Sequence, residues 1–201
     1  MCWIRPADIT HIRLKAGEAL MNGFSIIMSE KKLCLLDRDG VLNVDKDYLH
    51  KEEDVEWIPG SREAIAWLNR QGYRVVIVTN QSGVARGYFT EDTVRKLHDW
   101  MAAEIKKSGG EISAFYYCPH LPGAAVKRYD VDCDCRKPKP GMILQALADF
   151  DVRPGNAFLI GDSLRDVEAA ETAGVKGFLY TGGSVLDLAR MIVQNKESYG
   201  I

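Results

Sequence analysis

Leu33-Cys34-Leu35-Leu36-Asp37-Arg38-Asp39-Gly40-Val41-Leu42-Asn43 is the stretch on which the reading of this chain turns. An apolar run of this length that stops at a turn signal reads as a buried strand of a parallel sheet. Alternate side chains of an extended chain point the same way. Asp37 and Asp39 therefore leave the carboxyl end of the strand together, and Gly40 frees the backbone to turn away. That end is where open α/β sheets bind their ligands. Two carboxylates one residue apart repel unless a cation lies between them or one keeps a proton. Either outcome serves chemistry, since a hard cation such as Mg²⁺ takes oxygen ligands and a carboxylate can act as a nucleophile. The bland alternative is an Asp/Gly turn and nothing more.

Outward from this stretch the chain alternates strand and helix. A polar loop over 44–57 leads to a helix predicted over 61–71, with Ser61 as its N-cap and Gly72 closing it. A second apolar strand covers 73–80, and a long helix over 91–107 follows, capped by Thr90, with Val94, Leu97, Trp100 and Met101 at helical spacing. A third strand over 112–117 runs into a Cys/His loop over 118–135, and Pro140 opens a helix to residue 150. A fourth strand (157–162), a helix (164–173), a short strand (177–180) and a final helix (184–194) complete the pattern. This succession predicts an α/β fold: a Rossmann-like parallel sheet with helices on both faces. Residues 1–30 start no clear pattern and read as a poorly ordered N-terminal extension, with Met28 as a second start candidate and a helix over 10–21 as the alternative. The domain proper spans 31–201. Only 35 residues (44–78) separate Asn43 from Thr79, and a helix and a strand use most of them, so no inserted cap domain fits.

With 201 residues, 46% hydrophobic and a formal net charge of −2, the chain is sized for one globular domain with an adequate core. The near-neutral charge argues against nucleic acid or an anionic membrane surface as the main partner. No apolar run approaches the roughly 20 residues needed to cross a bilayer. Five cysteines, three of them between 118 and 135, do not form the framework of a secreted disulfide protein, and the cytoplasm is the expected compartment. Cys34 belongs to the core; Cys2 falls outside every pattern.

The polar residues Asp37/Asp39, Thr79-Asn80-Gln81-Ser82-Gly83 and Gly161-Asp162 each follow an apolar strand. Carboxyl ends of parallel strands share one edge, so these segments are predicted neighbours in space. Arg136-Lys137-Pro138-Lys139-Pro140-Gly141 stands just before a helix N-terminus, where phosphates bind well. Singly, each has a bland reading as a turn, a cap or a solvated face; their order along the chain is harder to reach by accident. Cys118-Pro119-His120, twelve intervening residues and Cys133-Asp134-Cys135 make a closed Cys₃His set of the structural-zinc type, with no place left for a catalytic water.

In this order the motifs resemble the haloacid dehalogenase superfamily of phosphotransferases, from residue 33 onward. Within it, Asp37-Arg38-Asp39-Gly40-Val41-Leu42-Asn43, Thr79-Asn80-Gln81-Ser82-Gly83-Val84-Ala85-Arg86-Gly87, the Cys-Pro-His…Cys-Asp-Cys-Arg-Lys-Pro loop and Gly161-Asp162-Ser163-Leu164-Arg165-Asp166 resemble the D-glycero-D-manno-heptose-1,7-bisphosphate 7-phosphatase family, small capless cytoplasmic enzymes with a zinc loop. The resemblance implies that Asp37 is the nucleophile, Asp39 the general acid/base, and Thr79 and Lys137 the phosphate holders. It implies Mg²⁺ on Asp37, the backbone carbonyl of Asp39, and Asp162, with Asp166 supporting the site through hydrogen bonds. Structural Zn²⁺ falls to Cys118, His120, Cys133 and Cys135. Asp45, Tyr48, Thr79, Asn80, Gln81, Ser82, Arg136 and Lys137 would line the site for a small phosphorylated sugar, with Arg136 gripping a second phosphate, in a monomer. Val41 stands where Thr is frequent, and Lys46-Asp47 precedes Tyr48 where a Gly is common. The sister group, histidinol-phosphate phosphatases, tends to carry Asn-Gln-Asp-Gly where this chain has Asn80-Gln81-Ser82-Gly83. Another small sugar-phosphate phosphatase and a catalytically inactive zinc module are the remaining alternatives.

Overall fold

Strand β2 (Lys32–Leu36) runs through the middle of a six-stranded sheet in this computed structural model, which describes residues 3–6 and 30–200. Its neighbours are β3 (Tyr73–Asn80) on one side and β5 (Ala157–Gly161) on the other, both parallel to it. Beyond them lie β4 (Ala114–Cys118) and β6 (Lys176–Leu179), again parallel. Strand β1 (Trp3–Pro6) closes the far edge antiparallel to β4, giving the order β1-β4-β3-β2-β5-β6. The chain leaves β2 toward β3 and comes back to β5 on its other side. The crevice at the carboxyl end of β2 is thus the topological switch point of the sheet, where such folds bind ligands.

Both faces of the sheet are covered, which is why the strands read as unbroken apolar runs and not as alternating ones. Cys34, Leu36, Val75, Ile77, Phe158 and Ile160 face one core with α1 (Ser61–Arg70), α3 (Glu91–Lys107) and α6 (Val185–Gln194). Leu33, Leu35, Val76, Val78, Ala157 and Leu159 face the other with α4 (Gly141–Phe150) and α5 (Leu164–Thr172). Two short helices, α2 (Gly83–Arg86) and α7 (Lys196–Tyr199), had no sequence signal of their own. Among the described residues no helix is long and apolar enough to cross a membrane.

Several expectations need correction. Ser61 does not cap α1: Gly60, at φ 75°, is the N-cap and Ser61 is a buried first helical residue. A Cβ on Gly60 would stand 2.6 Å from Ser184 Oγ, because the starts of α1 and α6 abut, so the position requires glycine. Ser184 is the true cap of α6, accepting from the Asp187 backbone N–H. The third predicted strand begins two residues later than expected, at Ala114, and runs on to Cys118. Within the presumed N-terminal extension, Trp3–Pro6 forms β1, which covers an edge of β4 that would otherwise be open to pairing with another chain. The helix expected over 10–21 and the start candidate Met28 lie outside the described residues.

Leu68 on α1 is wholly shielded from solvent, whereas Leu144 on α4 is 48% exposed. Leu68→Ala should cost about 2–5 kcal/mol of unfolding free energy and Leu144→Ala less than about 0.5 kcal/mol, as read from chemical denaturation curves.

Candidate active site

At the carboxyl end of β2 the backbone N–H of Asp37 donates to the Ile160 carbonyl at 3.0 Å, so the ladder to β5 carries Asp37 into the crevice. Asp37 Oδ1 accepts from the Arg38 backbone N–H at 2.7 Å and lies 3.0 Å from Lys137 Nζ. The same ammonium group lies 2.6 Å from Asp166 Oδ1 and donates to the Val78 carbonyl at 2.7 Å. Asp37, Asp166 and Lys137 are all buried. Burial pushes the Asp37 carboxyl up to about 7; Lys137 pulls it back, while the charges of Asp166 and Asp39 add to the rise. Burial would pull Lys137 down, but the two carboxylates outweigh it and the net shift is upward. Burial likewise opposes ionised Asp166, yet Lys137 and the Ser163 donors leave its carboxyl below the usual range.

Asp39 does not share that ammonium. Its Oδ1 accepts from Arg38 Nε at 3.1 Å, Arg38 Nη2 at 3.0 Å and Asn43 Nδ2 at 3.0 Å. Its Oδ2 accepts from Arg38 Nη2 and Gln81 Nε2, each at 2.9 Å. The two carboxylates therefore meet different cations: Asp39 the Arg38 guanidinium, and Asp37 the Lys137 ammonium that it shares with Asp166. Gln81 Nε2 also donates to Thr79 Oγ1 at 3.0 Å. Asn80 is occupied at both ends by the Lys137 backbone: its Nδ2 donates to the carbonyl at 3.0 Å and its Oδ1 accepts from the N–H at 3.1 Å. Asp162 follows β5 and packs on the turn after β2 so closely that a Cβ on Gly40, at φ 88°, would stand 2.0 Å from Asp162 Oδ2. Asp162 Oδ1 is buried without a hydrogen-bond partner. Carboxylate oxygens of Asp37, Asp162 and Asp166 lie within 4.8 Å of one another. Both oxygens of Asp166 are engaged, one by Lys137 and the other by the backbone N–H and hydroxyl of Ser163 in a capping box that starts α5.

The Cys/His loop folds back on itself beside this crevice. Cys118 Sγ lies 3.4 Å from Cys133 Sγ and 3.8 Å from His120 Nδ1; Cys135 Sγ lies 3.3 Å from Cys133 Sγ and 3.9 Å from His120 Nδ1. A tetrahedron with zinc–sulfur bonds of about 2.3 Å has edges of about 3.8 Å, so the four donors fit a zinc ion. The loop is tied to the crevice by the Gln81 N–H, which donates to the Cys118 carbonyl at 2.8 Å, and by Arg136 Nη1, which donates to the His120 carbonyl at 3.2 Å.

A model of the haloacid dehalogenase-like hydrolases matches residues 34–113, and one of HAD-like hydrolases matches residues 134–193. The D-glycero-beta-D-manno-heptose-1,7-bisphosphate 7-phosphatase of Haemophilus ducreyi is 46% identical over 147 residues, 73% of this chain and 80% of the relative. The chain belongs to the D-glycero-D-manno-heptose-1,7-bisphosphate 7-phosphatase family. The like-named enzyme of Rhodopseudomonas palustris is 47% identical over 150 residues, 75% of this chain and 83% of its own. Among solved structures, the D,D-heptose 1,7-bisphosphate phosphatase of B. bronchiseptica complexed with magnesium and phosphate superposes with a TM-score of 0.70 at 35% identity, over 82% of this chain and all but 1% of the other.

In this member of the heptose bisphosphate phosphatase family the crevice widens into a cleft of about 180 Å³. Asp37, Asp39, Asp45, Tyr48, Thr79, Asn80, Gln81, Ser82, Arg136 and Lys137, all named from the sequence, line it. Asp162 lies beneath the turn and not in the lining. Asp47 and Gly83, within the loops 45–48 and 81–86 read from the sequence as substrate-facing, also face the cleft; sequence reasoning missed Arg165, which faces it too, and Arg38. Arg165 carried a usable signal, since it sits three residues past Asp162 in the first turn of α5, on the ligand-binding edge. Arg136 is half-buried, and burial together with the like charges of Arg165 and Arg86 pulls its guanidinium below its usual value. Removing Lys137 takes away the positive charge that steadies ionised Asp37. In metal-free Lys137→Met the Asp37 titration should therefore move above about 7, followed by carboxyl-carbon NMR; an unchanged or lower midpoint would show that the ammonium does not act on this group.

Proposed function

We propose that the protein removes the 7-phosphate of D-glycero-D-manno-heptose 1,7-bisphosphate through an aspartyl phosphate on Asp37. The observation that carries this reading is the buried Asp37–Lys137 contact of 3.0 Å in a cleft that Arg136 and Arg165 also line, in a chain whose relatives are named for that activity. The donor set fits Mg²⁺: hard oxygen ligands, clustered carboxylates, and a buried Asp162 Oδ1 with no other partner. Asp37, Asp162 and the Asp39 carbonyl would hold it. The ion would supply positive charge against the phosphate dianion, which otherwise repels an attacking carboxylate.

Asp37 Oδ attacks phosphorus in line, and the ester oxygen leaves with a proton from Asp39. Asp39 then takes a proton from the water that hydrolyses the acyl phosphate. As Asp37 loses its charge to the new bond, the N–H of Lys137 that it held is released toward the transferred phosphoryl oxygens. Thr79 Oγ1 accepts from Gln81, which leaves its own O–H free to donate to the phosphate. Asn80 and Asp166 position Lys137. Arg136 and Arg165 receive the second phosphate, for which a guanidinium fork is suited, and Asp45 and Tyr48 face the sugar hydroxyls. The enzyme is read as a monomer of the cytoplasm acting on a free small molecule. The Cys118, His120, Cys133 and Cys135 set holds structural zinc and so fixes the arm that carries Arg136 and Lys137.

The test is phosphate release from a panel of both heptose bisphosphate anomers, fructose 1,6-bisphosphate and histidinol phosphate, with and without Mg²⁺. A heptose bisphosphate should lead in kcat/KM and turnover should stop without Mg²⁺; histidinol phosphate in the lead would transfer the chain to the sister activity. Asp37→Asn should abolish turnover while the denaturation midpoint stays at or above that of the wild type, because a buried carboxylate is replaced by a neutral amide. Cys133→Ser should lose zinc, measured as metal content of the reduced protein, together with most activity; full activity in zinc-free protein would reject the structural role.

A further inference from the structure

Among the described residues, Arg38 is the largest fully buried side chain. It stands between Asp37 and Asp39 in the sequence, yet it has no part in the chemistry described so far. Burying a guanidinium costs several kcal/mol unless its donors find acceptors, and here three different elements supply them. Nε and Nη2 grip Asp39 from two sides, at 2.9–3.1 Å. Nη2 also donates to the Leu49 carbonyl at 3.1 Å, in the loop between β2 and α1. Nη1 lies 3.3 Å from His98 Nε2 on α3. Arginine can only donate, so Nε2 of His98 is the acceptor and the imidazole is neutral. Burial, and then the charge of Arg38, hold His98 well below its usual value in agreement. The ring is itself fixed, stacked 4.3 Å from Phe115 and edge-on to Tyr117 at 5.8 Å, both on β4.

We infer that Arg38 is a positioning residue that fixes the orientation of the Asp39 carboxylate in the cleft, and that His98 and the Leu49 carbonyl hold Arg38 for this task. The inference rests on the acid/base role proposed for Asp39. The physical case is one of direction. Asp39 lies at the end of a strand, on a turn that Gly40 bends away, and its side-chain torsions are free in principle. A guanidinium fork is planar and rigid. Anchored at its far side by a helix and a loop, it leaves the bidentate carboxylate one position and one plane. Gln81 completes the placement from the β3 side and is itself tied to Thr79. A lysine in place of Arg38 would give one point of contact and leave the plane of the carboxylate unset.

Proton transfer tolerates little misplacement: a shift of about 1 Å can cost roughly 100-fold. Arg38→Met should therefore lower kcat by roughly 100-fold, with KM and Mg²⁺ affinity within about twofold of the wild type, and Arg38→Lys should recover part of the loss. The deciding readout is a double-mutant cycle with Asp39→Asn. If Arg38 acts through Asp39, adding Arg38→Met to Asp39→Asn should lower kcat by less than about threefold more. Losses that multiply, or an Arg38→Met enzyme that keeps its kcat, would overturn the inference and leave the proposed function standing. An Asp39→Asn enzyme of wild-type kcat would overturn the acid/base role itself, and the inference with it. Should Arg38→Met fail to fold, by circular dichroism and zinc content, the same cycle is read with Arg38→Lys, where multiplying losses again overturn it.

Discussion

Lys137 Nζ lies between two carboxylates, Asp37 and Asp166, with all three groups shut away from water. One positive charge cannot neutralise two negative ones, and the division is uneven: Asp166 has the shorter contact and the Ser163 donors as well, so its carboxyl falls below the usual range while that of Asp37 rises. The result is a buried carboxylate short of positive charge beside Asp162 Oδ1, an oxygen with no partner. That deficit is a physical reason for a divalent cation to bind there. The ammonium group reaches this position because Asn80 holds the Lys137 backbone at both its polar ends, in line with β3.

The cysteine loop acts on the same ammonium from the other direction. It begins where β4 ends and finishes one residue before Arg136, so its shape sets where the arm starts. Asp134 within it accepts from the Gly141 N–H at 2.9 Å, and a Cβ on Gly141 would stand 2.5 Å from that carbonyl. The loop and the start of α4 are therefore in backbone contact, with Arg136 and Lys137 caught between. Zinc in this loop would take no part in bond making; it would limit how far Lys137 can drift from Asp37.

Much of this was legible in the sequence because strands that are apolar on both faces end abruptly. Asp37, Thr79 and Asp162 each announce a strand end, and a parallel sheet gathers such ends on one edge whatever the lengths between them. Lys137 was legible from its place ahead of a helix start, and the Cys/His cluster from spacing alone. Other features depend on contacts between distant segments. Arg38 looks like the filler of a two-carboxylate motif until His98, far along the chain, is known to lie behind it. Ser61 has the chemistry of a cap, but the proximity of α6 gave the position to Gly60. Strand β1 has no alternation to find, since it is a short edge whose partner is fixed by the vacancy beside β4. The two carboxylates were read as a pair that needs either a cation between them or a proton on one; that Asp39 faces Arg38 while Asp37 shares Lys137 with Asp166 is a fact of tertiary structure.

Asp47 and Tyr48 both adopt left-handed backbone angles, at φ 49° and 60°. For residues with a Cβ this conformation costs about 1–2 kcal/mol each. The loop keeps it through local ties: Asp45 Oδ1 accepts from the Asp47 N–H at 3.1 Å, and the Tyr48 ring meets Tyr88 edge-on at 4.9 Å beneath the guanidinium of Arg86. A glycine here would relax the backbone but let the loop sample many shapes in solution. With two side-chain-bearing residues the unfolded chain has fewer such shapes, and this part of the cleft lining is already set when a sugar arrives. The freedom that a floppier rim would surrender at every encounter is here surrendered once, when the polypeptide folds.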